Sequence, residues 1–493
     1  MSRHQNLLGV SFCLVEQRMR LGRPICTVLF AAACLWFLHG TSAVGQTFST
    51  TDLGTLGGSN SYAAAISDGQ VVGNSETGST DTNGDPVTHA FSWTQAGGMV
   101  DLGTLGGSNS YAAAISDGQV VGNSETGSTD TNGYPVTHAF IWTQAVGMVD
   151  LGTLGGSSSG ATAISSGQVV GWWDTGSTDA NRNPLFHAFS WTLATGMVDL
   201  GTLGGSYSVA YAVSNGQVVG WAETGNGNNH AFSWTQAAGM VDLGTPAGDV
   251  SRAVAIDNGQ VVGTAFSTDY SYAFSWTQAG GMVDLGGDGY YKNANAVSNG
   301  QVVGNADFDY GNTHAFSWTQ AGGMVDLGTL GGDYSNANAV SNGQVVGGAG
   351  IGSADAHRHS VLHAFSWSQA GGMVDLGTLE GYPHSEAVAL GNGNVVGWAY
   401  DLDANGNISA GHAVLWTQLT TWTPTPRPTK TPTPSPRPTA TPTATATPAA
   451  ASDPGDGGGG GCAITMDNHP GVTRGILALL APLALFLWWR RRR

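Results

Sequence analysis

The stretch that decides the fold is Ala112-Ala113-Ala114-Ile115-Ser116-Asp117-Gly118-Gln119-Val120-Val121-Gly122, two short apolar runs joined by Asp-Gly. Asp-Gly between apolar runs is a strong signal for a two-residue β-hairpin, because it tolerates the positive φ angles that the turn requires. We therefore predict one strand at residues 112–116 and a second at residues 119–122.

Two further strands follow in the same unit. Residues 138–143 read as a third strand, residues 144–147 turn back, and residues 148–151 read as a fourth. No helical periodicity interrupts them. Four short strands in a repeat of 41 to 50 residues match the size of a β-propeller blade.

The same unit occurs eight times along the chain. Asp-Leu-Gly begins at Asp52, Asp101, Asp150, Asp199, Asp242, Asp284, Asp326 and Asp375. Val-Val-Gly begins at Val71, Val120, Val169, Val218, Val261, Val302, Val345 and Val395. The third strand carries Trp93, Trp142, Trp191, Trp234, Trp276, Trp318, Trp367 and Trp416.

The two ends of the repeat region are offset by one strand. Residues 50–54 form a fourth strand without the first three, and residues 413–416 form a third strand without a fourth. If the N-terminal strand completes the last blade, every blade is whole and the ring closes. We therefore predict an all-β fold, an eight-bladed β-propeller of four-stranded blades. Another closed or stacked β array is the alternative.

The repeat resembles the HAF repeat family of bacterial extracellular proteins. The His-Ala-Phe that names the family occurs at His89, His138, His187, His230, His314 and His363. Copy five has Tyr272-Ala273-Phe274 and copy eight has His412-Ala413-Val414. The resemblance implies an extracellular or surface-attached protein and little chemistry, because the family is defined by its repeat.

The N-terminal residues 1–45 are typical of a secretory signal peptide. Basic residues precede an apolar run at residues 25–38, and small residues follow it. We predict cleavage after Ala43 or Gly45, with an uncleaved membrane anchor as the alternative. The propeller is then expected at residues 46–422.

The C-terminal end has the parts of a sorting signal. Residues 423–456 form a Thr/Pro-rich linker that we expect to be disordered and extended. Residues 457–493 contain a glycine run, Cys462, a short apolar segment at residues 476–489 that we predict to be a transmembrane helix, and four arginines. This order resembles the C-terminal sorting signals of bacterial exported proteins, which implies the export machinery and an intramembrane sorting protease as partners. A plain tail anchor is the alternative. We expect an exported protein at the cell surface or outside the cell, anchored at least transiently.

The charge of the repeat region limits the partners. Residues 47–422 contain 30 acidic against four basic side chains, a net charge of −26. Such a surface repels phosphate backbones, so nucleic-acid binding is not expected. The region contains no cysteine, so it relies on neither disulfides nor a cysteine zinc site.

Four tryptophans break the repeat and are the candidate ligand residues: Trp172, Trp173, Trp221 and Trp398. Trp172, Trp221 and Trp398 directly follow Val-Val-Gly, where other copies have Asn, Thr or Gly. The loop after Val-Val-Gly is long in five copies and short in three, which predicts an open cleft. Exposed tryptophan rings there would stack on an extracellular glycan or a protein ligand. Packing beneath the adjacent loop is the alternative.

A candidate calcium loop lies in the last copy. Asp401, Asp403, Asn405 and Asn407 supply alternating oxygens, and glycine occupies the sixth position. His412 stands where a calcium loop places its bidentate glutamate, so an Asx-rich turn is the alternative. The sequence predicts no cofactor other than this candidate calcium ion.

We find no nucleophile motif and no convergent acid pair, so the sequence does not predict an enzyme. The predicted function is a surface-displayed, non-catalytic binding or adhesion module. A purely structural surface component and a propeller-fold glycan hydrolase or lyase are the alternatives.

Overall fold

The computed structural model describes residues 47–419, except residues 247–249, 288, 310 and 311. The described chain consists of 32 strands in eight four-stranded sheets, with every pairing in a sheet antiparallel. The prediction of an eight-bladed β-propeller is confirmed. The predicted signal peptide, linker, transmembrane segment and processing residues Ala43, Gly45 and Cys462 lie outside the described residues.

The strands are numbered along the chain, and β1 (Thr47–Asp52) precedes the first complete blade. Blades one and two are β2 Ser61–Ser67, β3 Gln70–Thr80, β4 Pro86–Thr94, β5 Gly98–Asp101, β6 Ser110–Ser116, β7 Gln119–Thr129, β8 Pro135–Thr143 and β9 Gly147–Asp150. Blades three and four are β10 Ser159–Ser165, β11 Gln168–Thr178, β12 Pro184–Thr192, β13 Gly196–Asp199, β14 Gly204–Ser214, β15 Gln217–Thr224, β16 Asn229–Thr235 and β17 Gly239–Gly244.

The second half of the ring repeats this order. Blades five and six are β18 Val250–Asp257, β19 Gln260–Phe266, β20 Ser271–Thr277, β21 Gly281–Asp284, β22 Lys292–Ser298, β23 Gln301–Asp309, β24 Asn312–Thr319 and β25 Gly323–Asp326. Blade seven is β26 Ser335–Ser341, β27 Gln344–Ala354, β28 Ser360–Ser368 and β29 Gly372–Gly377. Blade eight contains β30 His384–Gly391, β31 Asn394–Leu402 and β32 Ile408–Leu419, and β1 completes it.

The Asp-Gly turn has the predicted hairpin geometry. Asp117 and Gly118 have φ angles of 51° and 72°, and Ser116 pairs with Gln119 across the turn. Positive φ at both central residues is the requirement of a type I′ turn, whose twist matches that of the flanking strands. The sequence therefore determines the hairpin of β6 and β7 locally.

The glycine of Val-Val-Gly allows the first two strands of a blade to approach closely. A Cβ atom on Gly122 would lie 1.9 Å from the backbone oxygen of Tyr111. The register of the first strand shifts at this level, between Ala112 and Ala114. No side chain fits at this distance, so glycine is required in each copy for a steric reason.

The hydrophobic core lies between neighbouring blades. Ala114 and Val121 of blade two pack with Ile164, Val169 and Phe189 of blade three in one cluster. Seven phenylalanines at the position of Phe189 are fully buried: Phe91, Phe140, Phe189, Phe232, Phe274, Phe316 and Phe365. This recurring phenylalanine is therefore core, as its regular spacing suggests.

The N-terminal strand closes the ring as predicted. β1 pairs with β32 from Thr47 opposite Leu419 to Asp52 opposite Val414. The Leu53 N–H donates to the Ala413 carbonyl oxygen at 3.0 Å, continuing the pairing by one residue. Buried side chains of blades one and eight share a core cluster, so the first and last blades are neighbours.

The second and third strands extend beyond the prediction in the long copies. β7 reaches Thr129 instead of residue 122, and β8 begins at Pro135 instead of residue 138. Residues 127–129 at the end of β7 are exposed. Apolar alternation cannot reveal such a segment, because it has no buried face.

Candidate functional site

The histidine of His-Ala-Phe pairs with the aspartate of Asp-Leu-Gly on the adjacent outer strand. His138 Nδ1 lies 2.9 Å and 2.8 Å from the two carboxylate oxygens of Asp150. The same pair joins His89 to Asp101, His187 to Asp199, His230 to Asp242, His314 to Asp326, His363 to Asp375 and His412 to Asp52. The aspartate also accepts a hydrogen bond from the N–H of the glycine two residues later; the Gly152 N–H donates to Asp150 Oδ1 at 2.7 Å. These residues hold the outer strand and the link that follows it.

The four candidate tryptophans do not form the predicted exposed surface. Trp173 and Trp398 are only 6% and 3% exposed, so the prediction that they present rings to a ligand is wrong. Trp398 instead stacks on Tyr400 with ring centroids 4.0 Å apart. The second strand of these blades is covered by the neighbouring blade, and a large ring there becomes part of the core.

Trp172 and Trp221 are partly buried and packed against neighbours in the chain. The Trp172 ring lies edge-on to Phe186 with centroids 5.2 Å apart. The indole N–H of Trp221 donates to the Tyr211 hydroxyl at 2.9 Å. Their assignment as ligand residues stays a prediction.

The candidate calcium loop forms an Asx turn. Asp403 Oδ1 accepts the N–H groups of Asn405 and Asn407 at 2.8 Å and 2.9 Å. The bond from the Asn407 N–H contributes most to a lowered pKa of Asp403. Asp401 Oδ1 accepts the Leu402 N–H at 2.9 Å. The structure thus gives these oxygens protein partners, and calcium binding stays a prediction.

The same Asx turn closes the long loop of five blades. An aspartate Oδ1 accepts the N–H groups two and four residues later at 2.8 to 3.0 Å. The five aspartates are Asp81, Asp130, Asp179, Asp355 and Asp403. Such a turn fixes a loop tip without an apolar core, because the side chain replaces missing backbone partners.

Blade seven carries histidines in this turn where other blades have different residues. Blade three reads Asp179-Ala180-Asn181-Arg182-Asn183, and blade seven reads Asp355-Ala356-His357-Arg358-His359. The two turns share their backbone hydrogen bonds, and Arg182 and Arg358 both have positive φ angles, of 66° and 71°. Blade seven thus places two imidazoles on a scaffold that also exists without them.

Asp355, His357 and His359 come together at this turn. Each offers one ligand atom, and these atoms lie within 4.8 Å of one another. His359 Nδ1 lies 3.0 Å from Asp355 Oδ2. The Asp355 side chain is 2% exposed and that of His359 is 28% exposed, while His357 is exposed. The cluster therefore has a buried carboxylate beneath two accessible imidazoles.

A third histidine reaches the cluster from the next blade. His384 begins β30 of blade eight, its side chain is 1% exposed, and its Nε2 lies 3.3 Å from Asp355 Oδ2. Residues 47–422 contain ten histidines, of which seven occupy the His-Ala-Phe position. The other three are His357, His359 and His384, and all three lie at this one place.

The electrostatics of the cluster favour a charged carboxylate beside a neutral imidazole. Burial by itself raises the pKa of Asp355, but hydrogen bonds from the His359 backbone, the His359 ring and His384 outweigh it and hold the pKa well below its usual range. Burial lowers the pKa of His384, although the bond to Asp355 opposes this. An ionised carboxylate and neutral imidazoles are the protonation states in which these groups bind metals.

Sequence reasoning missed this cluster, although two signals for it were present. One was the replacement of Asn181 and Asn183 of blade three by histidines in an otherwise identical pentapeptide. The other was the restriction of the non-motif histidines of residues 47–422 to the stretch from His357 to His384. The first signal appears only when the copies are aligned on the turn rather than on the strands.

The comparisons with known proteins concern the fold. No family model and no curated protein matches the chain, so membership of the HAF repeat family stays a prediction. Among solved structures, puromycin hydrolase aligns at 12% identity with a TM-score of 0.42, over 70% of this chain and 59% of that one. The β-propeller domain of the Trilobed protease from Pyrococcus furiosus aligns at 8% identity with a TM-score of 0.42, over 68% and 99%. A prolyl endopeptidase aligns at 12% identity with a TM-score of 0.45, over 72% and 56%.

The predicted binding or adhesion function for glycans or proteins is wrong. The solved structures named above are a puromycin hydrolase, the β-propeller domain of a protease and a prolyl endopeptidase. Two of the four tryptophans that carried the prediction are buried in the core. At these identities the likeness extends to the propeller alone, and it transfers no peptidase activity to this chain.

The described residues contain no helix of the length and hydropathy needed to cross a membrane.

Proposed function

We propose that this propeller binds a divalent transition-metal ion at the loop of blade seven, through Asp355, His357 and His359. The observation that carries the proposal is the convergence of one buried carboxylate and two imidazoles within 4.8 Å. The proposed function is metal binding and not catalysis, since the rest of the repeat motif serves the architecture.

The donor set indicates which metals fit. Two imidazole nitrogens and one carboxylate oxygen suit zinc, copper, nickel or cobalt, whereas calcium and magnesium prefer oxygen ligands alone. Three protein ligands leave further coordination positions to water. A ligating imidazole nitrogen must offer a free lone pair, so the ion would take the place of the hydrogen bond between His359 Nδ1 and Asp355 and would compete with protons at low pH.

The location of the site is also part of the proposal. The predicted signal peptide and sorting signal support export, with the C-terminal segment in the membrane and an intramembrane sorting protease as partner. Fractionation of producing cells, with mass spectrometry of both ends of the mature chain, tests this. Recovery of the full-length chain from the cytoplasm would contradict it.

The binding experiment uses a matched control within the chain. We expect calorimetric titration of the untagged full chain with zinc to show one saturable site. The variant His357→Asn/His359→Asn, which copies the turn of blade three, should lose this site while keeping its fold. Calcium should give no competing signal at this site.

The converse exchange tests whether the turn is sufficient. Asn181→His/Asn183→His in blade three should add a second zinc site to the chain. Zinc binding that survives unchanged in the blade-seven variant would overturn the proposal.

A further inference from the structure

His384 connects the metal-binding turn to a different blade. It belongs to β30, the inner strand of blade eight, while Asp355 lies in the loop between β27 and β28 of blade seven. Its ring stacks on Tyr400 of blade eight with centroids 5.0 Å apart and an interplanar angle of 15°. The ring is thus held by blade eight and has little freedom to reorient.

The hydrogen bonds of His384 define its tautomer. Its Nδ1 accepts the Leu362 N–H at 3.3 Å, so Nδ1 carries no proton in the neutral ring. The proton is therefore on Nε2 and is donated to Asp355 Oδ2. This bond occupies one lone pair of Oδ2 and fixes the direction of the carboxylate toward the turn.

Equivalent positions in other blades show that this contact is not required by the fold. In blade two the position is occupied by Asn109, whose Oδ1 accepts the Thr88 N–H at 2.9 Å, matching the bond from Leu362. In blade four it is occupied by Tyr207, whose hydroxyl donates to Asp179 Oδ2 at 3.4 Å, matching the bond to Asp355. Asparagine thus reproduces one half of the His384 contacts, and tyrosine the other.

We infer that His384 is a positioning residue for the metal site and couples occupancy of the site to blade eight. This inference rests on the proposed function. An ion bound by Asp355 fixes the position of the carboxylate that accepts the hydrogen bond from His384 Nε2. The loop of blade seven and β30 of blade eight then become one unit. Blade eight is the blade that β1 completes, so the metal ties blade seven to the blade that closes the ring.

Two variants with precedents in the chain separate this role from a structural one. His384→Asn keeps an acceptor for the Leu362 N–H but cannot reach Asp355, and we expect zinc affinity to fall by roughly 10- to 100-fold, as for other groups that orient a ligand. His384→Tyr restores a donor to Asp355, and we expect its affinity to lie within about 10-fold of the wild type. The visible spectrum of bound cobalt should change in the asparagine variant and return toward wild type in the tyrosine variant.

Coupling to blade eight is measured by amide hydrogen exchange with and without zinc. In the wild-type full chain, zinc should slow exchange in β30 as well as in the turn. In His384→Asn, saturating zinc should slow exchange in the turn only. Wild-type chain that binds no metal would refute the proposed function itself. If the wild type binds zinc and His384→Asn matches it in affinity, cobalt spectrum and β30 exchange, the inference about His384 alone is overturned.

Discussion

Replacing Leu53 by alanine should destabilise the propeller by about 2–5 kcal/mol, although the residue lies only a few positions from the start of the described chain. Leu53 is 5% exposed and belongs to the core cluster between blades one and eight. Its N–H continues the pairing of β1 with β32. The lost side chain therefore leaves a cavity at the joint where the ring closes.

Leu102 is the matched control for this change. It occupies the same position after the fourth strand of blade one, is 6% exposed, and its N–H donates to the Ala90 carbonyl oxygen at 2.9 Å. Because the environments are equivalent, Leu53→Ala and Leu102→Ala should cost similar amounts in urea unfolding followed by tryptophan fluorescence. If Leu102→Ala is destabilising but Leu53→Ala stays within about 0.5 kcal/mol of wild type, the N-terminal strand does not close the ring.

Two further predictions concern repeated contacts. Gly347→Ala should abolish folding or lower the free energy of unfolding by more than about 3 kcal/mol, since its Cβ would lie 1.9 Å from the Asn336 backbone oxygen. Gly348→Ala is the control, because its Cβ meets only the Glu386 side chain, at 3.3 Å. Equal thermal melting of the two variants would refute the steric argument. Burial by itself raises the pKa of Asp375, but the bonds from His363 and from the Gly377 N–H together outweigh it and lower the pKa. Their stabilisation is therefore present above about pH 4 and is lost as pH falls through the folded-state pKa. Because Asp375 is 42% exposed, Asp375→Asn should cost only about 0.2–1 kcal/mol at pH 7, and a penalty that persists at pH 2 would contradict this origin.

The blade and its closure could be predicted from the sequence because both depend on local rules. Asp117-Gly118 specifies its turn by backbone preference, and Phe189 recurs at a fixed place because every blade buries the same face. The repeat region begins with an additional fourth strand and ends with a blade that lacks one, so the count of strands indicated that the ring closes. The outer ends of β7 and β8 could not be predicted, since their residues are exposed and carry no apolar pattern.

The functional residues were harder to predict because burial depends on the neighbouring blade. The Val-Val-Gly pattern that precedes Trp173 and Trp398 predicts a strand, and it is the same whether a ring on that strand faces solvent or an adjacent sheet. Asp355 meets His384 only because consecutive blades pack side by side, across 29 residues of sequence. The histidines themselves were visible in the sequence, and their proximity to one another was not.

The most direct test of the metal site is anomalous diffraction from crystals of the full chain grown with zinc, with data collected at the zinc edge. We expect a single strong peak in blade seven, about 2.0–2.2 Å from an Asp355 oxygen and from nitrogens of His357 and His359. In crystals of His357→Asn/His359→Asn the peak should disappear. A peak at the turn of Asp403, or none in blade seven at saturating zinc, would contradict the assignment.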